Sequence, residues 1–142
     1  MKSQDADSDQ LWNDFIERIS DPNEPLDEIQ RPAQLAFLYE SEVQNGGHLQ
    51  YFENVGAEKV GETVAALKLL GAGRQETILR ESGQVFLGMS RERAKTAEEY
   101  VAAAHEGEFD RFDKSFGACS PTLIECLERY LKAHLGSFFT VN

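Results

Sequence analysis

A chain of 142 residues with 41% apolar and 27% charged side chains has the size and composition of one globular domain, able to bury a core without a disulfide or metal staple. Its 25 acidic residues outnumber its 14 basic ones, a formal charge of −11, and that balance repels the phosphate backbone and excludes direct nucleic-acid binding. No apolar run approaches a membrane span, residues 1–25 lack the apolar stretch of a signal peptide, and Cys119 and Cys126 match neither zinc nor redox spacing, which together point to a reduced cytoplasmic protein away from membranes.

Residues 1–8 read as a disordered leader, and residues 9–142 as a single helical domain. Asp9 is a candidate N-cap for a helix carrying Leu11, Trp12, Phe15, Ile16 and Ile19, which Asp21-Pro22 ends. After the turn 22–25, Pro25 suits the start of a short helix through Ile29, and Pro32 opens a longer one carrying Leu35, Leu38 or Tyr39, and Glu42 or Val43. Asn45-Gly46-Gly47 stops it, since Gly and Asn accept the left-handed conformation found at helix ends. Leu49, Phe52 and Val55 mark a short amphipathic piece. Val60, Val64, Leu67 and Leu70 mark a helix that Gly71 terminates.

Ile78, Leu79, Val85 and Phe86 give the next helix, ending near Gly88. Ser90 can cap another with a small-residue face at Ala94, Ala97, Val101 and Ala104. Phe109, Phe112 and Phe116 follow at helical spacing. Ser120-Pro121 reads as a hydroxyl cap followed by first-turn proline, opening a last helix through Leu123, Leu127 and Leu135 to Gly136. The tail, with Phe138, Phe139 and Val141, is apolar enough to dock on the core. No stretch alternates with period two, and the connections are short. The expected fold is therefore all-α, a single compact domain of about six to eight helices.

The most distinctive stretch is Glu40-Ser-Glu-Val-Gln-Asn-Gly-Gly-His-Leu-Gln-Tyr-Phe-Glu-Asn54. Two adjacent glycines let one helix end and another begin at a sharp angle, and Asn45, Gln50 and Asn54 are placed to satisfy backbone groups left over at the corner. At the corner, Glu40 and Glu42 either brace the following helix or belong to a polar pocket with Gln50 and Tyr51. Bracing is the favoured reading, because polar residues beside a tight corner usually satisfy backbone groups.

This stretch resembles a bacterial domain family, mostly of unknown function, that includes an acidic DNA-mimic protein. The family's pattern runs E-x-E-V-x-N-G-G-x-x-Q-[FY]-F-x-N, and Glu40, Glu42, Val43, Asn45, Gly46, Gly47, Gln50, Tyr51, Phe52 and Asn54 supply it here. Ala65, Ala66, Leu67 and Leu70-Gly71 resemble a second family segment, and Phe109, Phe112, Asp113 and Phe116 a third, so that the likeness covers about residues 33–135. The chain departs from the pattern at His48, where the family usually has an aromatic residue directly after the glycines. The resemblance implies an all-helical fold and, for the mimic member, a non-enzymatic role on the DNA-binding face of a transcription factor. That role rests on dispersed carboxylates rather than on motif residues, so it does not transfer residue by residue.

Nothing in the sequence assembles a catalytic, cofactor or metal site. His48, His105 and His134 accompany no nucleophile elbow, and His134 stands two helical turns from Cys126. No Glu-x-x-His occurs for a di-metal carboxylate centre, and Gly71-Ala-Gly73 lacks the lysine and strand of a phosphate loop.

Charge carries the functional reading. Residues 1–31 hold nine acids against three bases, and Asp14, Glu17, Asp27 and Glu28 are the candidate acidic binding surface. The first expectation is a binding module for a basic, DNA-binding protein, with DNA mimicry as its mechanism. The alternatives are an immunity or regulatory protein that binds a toxin or enzyme without mimicry, and an enzyme with a polar pocket near Glu42, Gln50 and Tyr51. The sequence does not specify an oligomeric state.

Overall fold

The structure is a computed structural model that describes residues 2–20, 26–93 and 109–138. All regular structure among these residues is helical: α1 (Lys2–Ser20), α2 (Gln30–Val55), a 3₁₀ turn (Ala57–Lys59), α3 (Val60–Leu69), α4 (Gly73–Arg93), α5 (Asp110–Gly117), α6 (Leu123–Ala133) and α7 (Leu135–Phe138). The all-α expectation of six to eight helices is met. No helix among the described residues is long and apolar enough to cross a membrane.

α2 is the axis of the assembly, with α1, α3, α4, α5 and α6 all packing on it. Its buried residues Ala33, Ala36, Tyr39 and Val43 recur every three or four positions, which puts them on one helix face. Phe15 and Ile19 of α1 cover that face from one side, and Leu123, Leu127 and Leu131 of α6 join the same core. Tyr51 and Phe52 extend the core toward Leu67 of α3, Leu79 of α4 and the aromatic row Phe109, Phe112 and Phe116. Each such fully buried side chain contributes about 1.5–3 kcal/mol by leaving water.

Several boundaries differ from the sequence expectation, each for a local reason. α1 begins at Lys2 rather than at Asp9, so the stretch expected as a disordered leader enters the helix. Residues 26–29 form a turn, not a short helix after Pro25. In that turn Asp27 Oδ1 accepts from the Ile29 and Gln30 amides at 2.9 and 2.8 Å and so starts α2 two residues before Pro32. α4 runs through Gly88 and Ser90 to Arg93, because a single glycine weakens a long helix by only about 1 kcal/mol. The expected helix over Ala94–Ala104 and the docking of Phe139 and Val141 lie outside the described residues.

The last long helix is capped by Thr122, not Ser120. Thr122 and Glu125 exchange hydrogen bonds in a reciprocal capping box. α6 stops at Ala133 and the backbone breaks at His134, so Leu135 falls on α7 and is 41% exposed rather than buried. The stop at Gly71 is as expected: it takes φ +77°, and the Ala72 and Gly71 amides donate to the Leu67 and Lys68 carbonyls.

Candidate functional site

The glycine pair makes the corner that the sequence announces, with the two glycines in different roles. Gly46 stays helical, while Gly47 takes φ 83° and ψ −179° and breaks α2 into two limbs. Only Gly47 needs glycine's access to positive φ. A Cβ at Gly47 would stand 2.6 Å from Asp113 Oδ2, so the missing side chain also admits a carboxylate from α5.

That carboxylate organises the corner. Asp113 Oδ1 accepts from the His48 backbone N–H at 2.8 Å and from His48 Nδ1 at 2.7 Å. The first bond caps the limb that begins at His48, where a negative charge is favoured by the unsatisfied amides. The second fixes the tautomer. A carboxylate only accepts, so Nδ1 carries the hydrogen and Nε2 is left to accept from the Tyr39 hydroxyl at 2.7 Å. Tyr39 and His48 are both fully buried. Burial holds His48 below its ordinary pKa, against the opposing pull of Asp113, and the imidazole is accordingly neutral. Burial, reinforced by Tyr51 and other neighbours, raises Tyr39 well above the ordinary phenol value and keeps its hydroxyl a donor.

A second polar set spans the corner on its outer side. Glu42 Oε2, before the break, accepts from Gln50 Nε2 at 3.0 Å and from Asn54 Nδ2 at 3.1 Å, both after it. The acid and the two amides of the motif therefore tie the limbs together. Phe52 is buried in the core, and Tyr51 is buried with its hydroxyl on Thr63 Oγ1 at 3.3 Å, apart from Glu42 and Gln50. Asn45 is exposed. Glu40 is buried, takes a hydrogen bond from Gln44, and has its pKa raised chiefly by burial.

The Asp113–His48–Tyr39 order has the look of a catalytic relay, but with His48 and Tyr39 sealed its chemistry is to hold two helices at a fixed angle. Periodicity gave no sign of the Asp113–His48 pairing across 65 residues. The available signals were a histidine at an aromatic position and an acid within the phenylalanine row. His134 Nδ1 lies 2.9 Å from the Tyr130 carbonyl within its own helix turn, and His105 lies outside the described residues. Among the described residues, no three His, Cys, Asp or Glu side chains gather as a metal-binding group.

The acidic surface residues divide. Glu17 and Glu28 are exposed. Asp14 is half-buried and accepts from Gln10 Nε2 at 2.8 Å. Asp27, although exposed, is engaged in starting α2 as described above. Asp9 is a further exposed acid on α1.

A protein-family model described as DMP19-like protein matches residues 24–134, a span that holds the corner, its braces and α2 to α6 but leaves out α1. No curated protein and no solved structure matches the chain.

Proposed function

The chain belongs to the DMP19-like protein family, and on that premise we propose that it is a non-enzymatic binding protein that occupies the DNA-binding surface of a basic protein, such as a transcription factor, in place of DNA. The observation that carries this reading is a charge of −11 on a chain whose described regular structure is all helical, in a family that includes an acidic DNA mimic. Carboxylates such as Glu17 on α1 and Glu28 ahead of α2 stand in water on fixed backbone. Fixed backbone matters because duplex DNA presents about one charge per 1.7 Å of axis, and a disordered acidic tail cannot hold such a spacing. The E-x-E-V-x-N-G-G motif serves this function indirectly, by setting the angle between the limbs of α2.

The second reading is an immunity or regulatory protein that binds its target through apolar contacts. It is favoured by Leu11, Leu69, Leu87 and Leu135, which are large, apolar and exposed.

Affinity capture from source lysate at low salt, eluted by a salt step, separates the two. Mimicry predicts recovery of a DNA-binding protein whose affinity falls steeply with ionic strength, and displacement of DNA from it in a gel shift. The Glu17→Lys, Glu28→Lys variant is expected to lose that displacement at low salt. Undiminished displacement by this variant overturns the role of this surface, and capture insensitive to salt favours the second reading.

A further inference from the structure

Away from the corner, α1, α6 and α7 enclose a groove of about 240 Å³. Trp12, half-buried, and Leu131, 5% exposed, are among the residues lining it. Leu11 and Leu135 also line it, at 38% and 41% exposure, which makes them two of the four large apolar residues exposed among those described. Asp9, Glu128 and Lys132 complete the lining. On the C-terminal side, Glu128, Leu131 and Lys132 share one face of α6, and Leu135 joins them from α7, after the break at His134. The volume is below the roughly 300–1,000 Å³ of small-molecule pockets, a size suited to apolar side chains rather than to a cofactor.

We propose that this groove receives the apolar face of a basic amphipathic helix. The inference rests on the reading above, that the target is a basic protein, and adds where and how that target is held. Two carboxylates against one ammonium leave the groove lining acidic, and the whole chain carries −11, so a lysine- or arginine-rich helix is drawn to it. A second copy of this chain would bring the same charge and be repelled. An amphipathic helix presents anchors at i, i+3, i+4 and i+7, which is the form of ligand an apolar groove between helices accepts.

Trp12 is the only tryptophan, so its fluorescence reports on the groove directly. The probe is a synthetic Leu/Lys peptide with leucines at helical spacing. Its control has every leucine replaced by glutamine, at unchanged charge. The Leu/Lys peptide is expected to shift Trp12 emission saturably at about 150 mM salt, where long-range attraction is screened. The glutamine peptide should bind at least about tenfold more weakly, the effect of losing a leucine-sized apolar contact.

Leu135→Glu gives the decisive arm. It adds negative charge, which strengthens a purely Coulombic encounter, yet it should weaken binding at least about tenfold if the groove is the site. Leu69→Ser, at an exposed leucine on α3, should leave the titration unchanged, and circular dichroism checks that each variant keeps its helix content. Equal affinity of the two peptides, or undiminished affinity of Leu135→Glu, overturns the proposal. So does tighter binding after truncation behind Phe138, which would make residues 139–142 the occupant, or a dimer in sedimentation that Leu135→Glu dissolves, which would make it a second copy. The DNA competition with Glu17→Lys, Glu28→Lys involves no residue of the groove lining, so failure there and failure here are separate results.

Discussion

The Gly47 corner and the N-terminal acidic arm use the same residue types for opposite ends. At the corner, Asp113 is bound to His48, and Glu42 to Gln50 and Asn54. On the arm, Glu17 and Glu28 stand exposed in water, while Asp27 has its carboxylate committed to backbone amides. The corner's carboxylates form part of a recognisable pattern because each must reach particular atoms at particular distances. The arm has no such pattern because carboxylates that a fold sets at a spacing in space need not recur at a fixed interval in sequence. Family membership therefore carries the architecture more securely than the partner.

Breaking the corner should cost the most stability. Gly47→Val forces a β-branched residue to φ 83° and drives its Cβ into Asp113. Urea denaturation should record a loss of about 3 kcal/mol. Gly46→Val should lose only about 1 kcal/mol, since Gly46 is helical and its added carbon meets Gln50, which can swing aside at the cost of its bond to Glu42. Equal losses at the two positions would erase the distinction between them. Asp113→Ala strips an acceptor from a backbone and a ring N–H together, and because its side chain is 36% exposed water recovers part of the loss, leaving about 2 kcal/mol in the same assay.

The corner also imposes a pH response. His48 is held below its ordinary 6.5 by burial, so once the pH falls under that value the unfolded chain binds more protons than the folded one. The stability contributed by the neutral ring is complete above 6.5 and declines as the pH drops toward the folded value. Glu40, raised above 4.5 by burial, acts with the opposite sign, losing stability as the pH rises through its raised value. Thermal melts from pH 7 downward should show His48→Phe with a flatter decline just below 6.5 than the parent, and Glu40→Gln with a steeper net loss on acidification. At neutral pH, His48→Phe orphans the Tyr39 hydroxyl and should cost about 1 kcal/mol, with Tyr39→Phe/His48→Phe less damaging than the sum of its parts.

On the arm the effects shrink. Asp27→Ala removes the acceptor of two amides and should cost about 1 kcal/mol, whereas Glu17→Lys and Glu28→Lys should fall within about 0.5 kcal/mol in the same denaturation series. A large loss from either reversal would mean that these exposed acids are structural after all.

Signals resolved by a residue's own backbone preference were legible in sequence. Gly71 ends α3 and Gly47 turns α2, because positive φ is written into glycine. Competition between local signals was harder to read. Thr122-Leu-Ile-Glu125 carries a capping-box signature as plain as Ser120-Pro121, and the box prevails because it satisfies two amides at once. Gly88 and Ser90 look like an end and a start, yet neither outweighs a helix already packed on α2 and α3. The clasp between His48 and Asp113 was beyond sequence reach, since its terms are a distance and a burial that exist only once α5 has docked on α2.

The fastening of α2 by distant parts of the chain also sets an order of assembly. Its first turn is held by Tyr130, whose hydroxyl donates to the Ile29 carbonyl 101 positions earlier at 2.6 Å, and its core face is closed by Leu123 and Leu127 of the same late helix. A chain emerging from the ribosome can pair α2 with α1 and α3 early, but it carries an uncovered strip of alanine, tyrosine and valine until α6 has been made. Completion is thus deferred until α6 has been made, when local helix pairs are converted into one cooperative unit.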